Sequence, residues 1–279
     1  MNMQQIDVYK VIEDKSPKLA RRLPKFVVNY LKKIVHQDEL NEVLRKYPDL
    51  DGIEFVRAAL KELGISYHST GIEDIDPEGR YVFASNHPFG GLDGLMLADE
   101  VTKRFGEVRI VVNDLLMHMD PLKPLFVPVN KHGRQNENSV HAFNDAFTSD
   151  MQIITFPAGL CSRRSKGVVC DLEWKSNFIR KAVQSRRDIV PVYFDGRLSG
   201  FFYRLANLRK FLGLKVNIEM LYLVNEMFKQ RGSDFRIVLG RPVSYETLLE
   251  GRNVNEAALF IRGKVYELSH SGEKEKECQ

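Results

Sequence analysis

The chain reads as an α/β protein, a mixed sheet flanked by helices with an N-terminal helical segment in front of it. Three observations predict this. Beyond residue 64, apolar runs of strand length alternate with longer runs of helical periodicity. The first 64 residues carry the helical pattern alone. The apolar runs also stop at loops of Gly, Pro and basic residues, where helix-covered sheets place their reactive groups. The expected organisation is a helical segment over 1–64, the main domain over 65–270 and a polar tail over 271–279.

Within the first segment, the run from Leu23 to Val35 puts Leu23, Phe26, Val27, Tyr30, Leu31 and Ile34 on one helical face, with lysines opposite. A basic amphipathic helix of this kind suits a membrane surface and suits packing on the main domain equally. Asp51-Gly52 then precedes a helix from Ile53 that Gly64 closes. Strands are expected at Tyr81–Ser85, Val108–Val112, Gln152–Phe156, Ile189–Phe194 and Phe235–Leu239, with a further apolar strand within Pro124–Val129. Pro191 is unusual inside a strand and marks an edge or a bulge. Helices are expected around Leu95–Phe105, Asn138–Phe147, Trp174–Arg186, Phe201–Leu212, Met220–Lys229 and Asn255–Leu268.

With 279 residues, 43% hydrophobic and 28% charged, the chain is long enough to bury a sizeable core. Its cysteines, Cys161, Cys170 and Cys278, show no paired spacing, which points to a reducing compartment without a disulfide framework. The histidines are scattered, and no metal-ligand array is visible. No run approaches the roughly 20 apolar residues of a spanning helix, and Met1–Asp7 lacks a signal-peptide core. Membrane contact is therefore expected to be peripheral or monotopic. Net charge is only +4, but cations cluster at Arg21-Arg22, Lys32-Lys33, Arg163-Arg164, Arg186-Arg187 and Arg209-Lys210. Such patches suit anionic lipid headgroups or nucleic acid. A nucleic-acid module would leave the next feature without a purpose.

Directly after the Tyr81–Ser85 run comes Asn86-His87-Pro88-Phe89-Gly90-Gly91-Leu92-Asp93-Gly94. A strand that ends in His, turns tightly on glycines and returns an Asp at a helix start brings imidazole and carboxylate together. That pairing keeps one ring nitrogen as N–H and leaves the other as a general base near neutral pH. Three later segments share the strand-then-loop character: Phe126-Val127-Pro128-Val129 leading to Lys131, Phe156-Pro157-Ala158-Gly159 leading to Ser162, Arg163 and Arg164, and Val190-Pro191-Val192.

The ordered set of four blocks resembles the glycerolipid acyltransferase superfamily, which includes the lysophosphatidate acyltransferases, over roughly residues 70 to 200. The resemblance implies an acyltransferase-like fold. It also implies that His87 deprotonates an acceptor hydroxyl, which attacks the thioester of acyl carrier protein or acyl-CoA, while Asp93 orients the ring. No cofactor is implied beyond the acyl donor itself. Departures bear on the acceptor. The His-Asp spacing is one residue longer than the family's His-x4-Asp, with Gly90-Gly91 able to absorb it. The third block, usually Phe-Pro-Glu-Gly-Thr-Arg, has Ala158 at the Glu position and Cys161 at the Arg position. The second block's usual Arg falls at Val129, with Lys131 nearby. Those family residues grip a glycerol phosphate.

The blocks look more like the hemolysin-like branch, which is similar to bacterial O-acyltransferases that complete amino-acid lipids. Their acceptor is a 3-hydroxyacyl group amide-linked to ornithine or glycine, so its anionic handle is a carboxylate. Arg163 and Arg164 are then the expected carboxylate forks. Asn86, Gly90, Gly91, Lys131 and Pro157 are expected to line the substrate site, and Ser162 and the Gly159 N–H to assist or to supply oxyanion donors. The alternative acceptor is lysophosphatidate or a lysophospholipid. A Cys161 nucleophile with His87 as its base is a further alternative. Partners are thus the acyl donor, a lyso-lipid and a peripheral membrane surface, at the cytoplasmic face of the inner membrane.

Overall fold

A computed structural model of the chain describes residues 5–113, 117, 119–129, 137–214 and 216–269. Five helices come first: α1 (Val8–Lys15), α2 (Pro17–Ala20), α3 (Lys25–Ile34), α4 (Gln37–Lys46) and α5 (Gly52–Glu62). The sheet strands are β1 (Ser66–Thr70), β2 (Tyr81–Ser85), β3 (Val108–Asn113), β4 (Phe126–Val129), β5 (Gln152–Thr155), β8 (Asp188–Phe194) and β9 (Asp234–Leu239). A separate hairpin pairs β6 (Arg163–Ser165) with β7 (Val168–Cys170). The intervening helices are α6 (Leu92–Phe105), α7 (Glu137–Thr148), α8 (Asn177–Ser185), α9 (Gly200–Phe211), α10 (Leu223–Lys229) and α11 (Val254–Glu267).

The seven strands form one sheet in the order β1-β9-β8-β2-β5-β3-β4. All pairings in it are parallel except β8 with β9, so the sheet is mixed as expected. Its central strands are buried along nearly their whole length, the pattern of a sheet covered on both faces. Alternation along each strand decides which face a side chain feeds. Phe83, Ile154, Val190 and Val192 enter one core with Leu92, Met96 and Leu97 of α6 and Phe202 of α9. Val82, Ile153, Ile189 and Tyr193 enter the other with Ile179 of α8 and Ile261 and Val265 of α11. The parallel strands β2 and β5 end on the same side of the sheet, and the His87 turn follows β2 there.

Pro191 lies in an interior strand, not at an edge. Val192 faces Leu239 while Ile189 bridges Val243, so Val190 and Pro191 stand opposite Gly240, Arg241 and Pro242. This is a β-bulge, and it meets the difficulty that Pro191 has no N–H to give. The Pro191 carbonyl takes the Gly240 N–H at 2.8 Å.

On α3, Val28 and Ile34 are buried while Phe26 and Tyr30 turn outward, so part of the apolar face is left exposed. Other expectations are corrected. Trp174 precedes α8 and is buried, its indole N–H donating to Asp171 Oδ2 at 2.9 Å. Arg187 is not a surface cation. It is fully buried, donates to the carbonyls of Phe147, Ser149 and Met151, and burial lowers its pKa to about 10. Cys161 is a free buried thiol, while Cys170 is disulfide-bonded, contrary to the expectation of no pairing.

Candidate active site

The turn after β2 is held by its first residue. The Asn86 side chain donates to the Phe194 carbonyl at 2.9 Å and accepts the Phe194 N–H at 2.7 Å. It thus carries the β2–β8 ladder one step beyond the strand, and both halves of its amide are engaged. Gly90 then adopts φ +83°, a conformation that favours glycine, and a Cβ there would sit 2.9 Å from Leu223 Cδ2 and push that side chain aside. Gly91 is the N-cap of α6, and a Cβ built on it would meet nothing within 4 Å. Gly91 itself is exposed.

Asp93 enters on the first turn of α6, where the helix dipole favours a carboxylate. It is fully buried, and its Oδ2 lies 3.0 Å from His87 Nδ1 and accepts the Phe89 N–H at 3.0 Å. Oδ1 accepts the Gly94 N–H at 3.0 Å. An acceptor-only carboxylate at Nδ1 selects the tautomer with its proton there, leaving Nε2 with its lone pair. The His87 ring stacks on Phe156, centroids 4.2 Å apart, and its side chain stays 14% exposed. The spacing of one extra residue therefore does not separate the pair.

Sequence reasoning missed the residue behind His87. Asp171 is buried and accepts from the His87 N–H (3.1 Å), the Ser162 hydroxyl (2.6 Å) and the Trp174 indole (2.9 Å). Ser162 returns its own N–H to the His87 carbonyl at 2.8 Å. The backbone of His87 is thus gripped from both ends. Burial raises the Asp171 carboxyl pKa, with its hydrogen bonds opposing that rise. An Asp far along the chain, between a hairpin and a tryptophan, carries no local signal of this role.

The remaining expected residues fall into distinct places. Gly159 closes a turn with its N–H on the Phe156 carbonyl at 2.8 Å, and the Pro157 carbonyl accepts from Lys175. Ala158 packs in the core. Since the Ser162 hydroxyl and N–H are also engaged, the structure places neither Ser162 nor the Gly159 N–H as a free oxyanion donor. Arg163 reaches inward. Its guanidinium donates to the buried Glu219 at 2.9 Å and to the Cys161 carbonyl at 2.7 Å, and it lies over the Phe202 ring. Arg209 also contacts Glu219, Nε to Oε2 at 3.0 Å. Arg164, on β6, is exposed and makes no ion pair among the described residues. Lys131 lies outside the described residues. A cavity of about 520 Å³ adjoins the turn, lined by Asn86, Pro88, Ser162, Tyr193, Arg197 and Tyr266 among others.

Cys161 is fully buried, and desolvation raises its pKa from 9.0 to about 11, against the pull of Arg163. It is therefore a thiol at neutral pH, and a thiol is a poor nucleophile. Cys161→Ala is expected to keep acyl-transfer activity within about twofold, since no covalent step uses the sulfur. The folded chain holds this proton more tightly than the unfolded one, so stability from Cys161 is complete below about pH 9 and lost as pH rises through about 11. Comparing urea melts of wild type and Cys161→Ala across that range checks the slope; a large loss of activity in the variant overturns the assignment.

A buried carboxylate holding a partly exposed histidine is an arrangement that can take a proton from a hydroxyl. Acyl transfer to oxygen is one reaction class that uses such a base. The family comparison agrees: residues 10–274 match the acyltransferase family model, and the chain belongs to that family of acyl-transferring enzymes. It is 47% identical over 264 residues to the lyso-glycine lipid O-acyltransferase of Bacteroides thetaiotaomicron, covering 94% of this chain and 97% of that one. With the lyso-glycine lipid O-acyltransferase of Phocaeicola vulgatus it shares 44% identity over 264 residues, covering 94% and 95%. Among solved structures, the 1-acyl-sn-glycerophosphate (LPA) acyltransferase PlsC of Thermotoga maritima aligns at a TM-score of 0.43 and 15% identity, over 87% of this chain and 92% of that one.

Proposed function

We propose that the chain completes a glycine lipid, moving a fatty acyl group from acyl carrier protein or CoA to the 3-hydroxyl of an N-(3-hydroxyacyl)glycine. The observation that carries the chemistry is the Asp93–His87 contact at 3.0 Å with Nε2 left over. The acceptor rests on the activity for which the two relatives are named. His87 Nε2 takes the acceptor's hydroxyl proton as its oxygen attacks the thioester carbonyl. The tetrahedral intermediate collapses, the new ester C–O bond is kept and the C–S bond breaks. The imidazolium returns the proton to the departing thiolate, so the carrier leaves as a thiol and the enzyme is regenerated. Asp93 holds the ring throughout and stabilises its charged form.

The substrate residues divide in this reading. Arg163 is a structural cation that neutralises Glu219, whereas Arg164, two residues beyond Ser162, takes the glycine carboxylate. Arg164→Ala is expected to raise KM for a carboxylate acceptor about tenfold with little change in kcat, the loss of one charge-assisted contact. Arg164→Lys restores part of it. The whole reading is tested by thiol release from an acyl carrier protein thioester with a panel of acceptors. The glycine acceptor is expected to be preferred over the ornithine one, with lysophosphatidate failing; preference for lysophosphatidate overturns it. None of the described helices is long and apolar enough to cross a membrane. We propose that the enzyme meets its lipid as a peripheral protein at the cytoplasmic face of the inner membrane, with segment 1–64 contributing to that contact.

A further inference from the structure

Two stretches of the chain carry cations and no acid. Residues 17–36 contain six Lys or Arg and residues 197–218 contain five, with no Asp or Glu in either. Among the described residues, these same stretches hold the most exposed large apolar side chains. Phe26 on α3 is 73% exposed, Phe211 at the end of α9 is 87% exposed, and Val216 beyond it is 72% exposed. Single exposed apolar residues are ordinary, but here Leu208, Phe211, Leu212, Leu214 and Val216 are exposed within one short stretch.

The stretches are distant in sequence and fastened together in space. The hydroxyls of Tyr30 on α3 and Tyr222 lie 2.7 Å apart. Tyr222 ends a 3-10 turn (Ile218–Tyr222) and packs edge-on against Phe201 of α9, centroids 5.1 Å apart. Behind them, His36 contacts Asn225 at 3.1 Å and stacks on Phe228 of α10 at 4.1 Å. The Arg163–Glu219–Arg209 cluster pins the same turn to α9. Leu221, beside Tyr222 in the same turn, is 48% exposed.

We propose that α3 and the end of α9 form one bipartite docking surface for an anionic bilayer, with Phe26 and Phe211 entering the interface at two points. This rests on the peripheral-membrane reading above and adds a second anchor, distant in sequence from the N-terminal helices. Charge decides the occupant. The buried centre of a protein–protein interface is depleted of lysine, whereas α3 and α9, which carry Phe26 and Phe211, also carry Lys25, Lys32, Lys33, Arg204 and Lys210. Aromatic side chains beside lysines and arginines that reach back to headgroups are the chemistry of a bilayer surface. Two anchors on one rigid body also fix its orientation, which a single helix does not.

The test is co-sedimentation of the full chain with phosphatidylcholine vesicles, with and without about 30% phosphatidylglycerol. Binding is expected to require the anionic lipid and to weaken with added salt. Phe26→Asp and Phe211→Asp are each expected to weaken it about tenfold, and the pair more, while activity on a short-chain, water-dispersed acceptor is retained. Phe211→Asp binding as tightly as wild type overturns the proposal. So does light scattering that shows a dimer, broken by Phe211→Asp, with no vesicle binding. The arms separate the two readings. A chain inactive on every acceptor that still binds through Phe211 removes the proposed reaction and leaves the surface, and an active chain indifferent to Phe211 does the reverse.

Discussion

His87→Ala is expected to lower the rate of acyl transfer about a thousandfold, within the range that a positioned general base contributes. That is about 4 kcal/mol of activation free energy. The fold is expected to survive, because the ring is partly exposed and Asp93 keeps the Phe89 and Gly94 N–H groups as partners. The loss of the Phe156 stack and one hydrogen bond costs about 1–2 kcal/mol of stability. Asp93→Asn is the milder companion. It removes the charge that steadies the imidazolium while preserving shape, and about a hundredfold loss is expected. Single-turnover thiol release, read beside circular dichroism, checks both. A folded His87→Ala enzyme with the wild-type rate would end the general-base assignment.

Much of the sheet was legible because its central strands are buried on both faces. Tyr81–Ser85 and Asp188–Phe194 read as continuous apolar runs bounded by turns, and they are the middle of the sheet. The edge strand β1 was not legible. Ser66-Tyr67-His68-Ser69-Thr70 alternates exposed and half-buried residues, and its pairing with β9 comes from a strand some 170 residues away that no local pattern announces. The β6–β7 hairpin was hidden for a related reason. Arg163-Arg164-Ser165 looks like a polar loop, and the Ser162–Asp171 contact, the Arg163–Glu219 pair and the Arg163–Phe202 stack give it a place to sit. On α3, periodicity located the helix and left open what its apolar face meets; Val28 and Ile34 are buried while Phe26 and Tyr30 turn outward. Helical spacing shows which residues share a side, not whether that side meets protein or something else.

The site divides along the same line. His87 and Asp93 were visible because a turn of a few residues joins them, so sequence distance is nearly spatial distance. Arg163 was misread because its partners, Glu219 and Arg209, come from elements far along the chain. A guanidinium beside a buried carboxylate belongs to the core, whatever its neighbours in sequence suggest. Ser162 was noticed for its hydroxyl, yet that hydroxyl is spent on Asp171. What it contributes is reach: its N–H and its acceptor together hold the residue that carries the base.

From that clamp comes the second large expected effect. Asp171→Ala leaves three buried donors without an acceptor, the His87 N–H, the Ser162 hydroxyl and the Trp174 indole, and is expected to cost about 3–5 kcal/mol of stability. Asp171→Asn is the sharper probe. Its oxygen still serves His87 and Ser162, but its NH₂ faces the Trp174 N–H, donor against donor, so about 1–3 kcal/mol is expected. A small displacement of His87 is expected to lower kcat about tenfold with KM nearly unchanged, since Asp171 touches no substrate. A change in KM alone would contradict a positioning role. The pH dependence has a definite sign. Burial raises the Asp171 pKa, so the folded chain holds that proton more tightly than the unfolded chain does. Its stabilising contribution is complete below the unfolded value and is lost as pH rises through the folded one. The advantage of wild type over Asp171→Asn should therefore shrink as pH rises from the acid range. If the advantage grew instead, the three donated hydrogen bonds would outweigh burial, and Asp171 would grip His87 as a carboxylate ionised throughout.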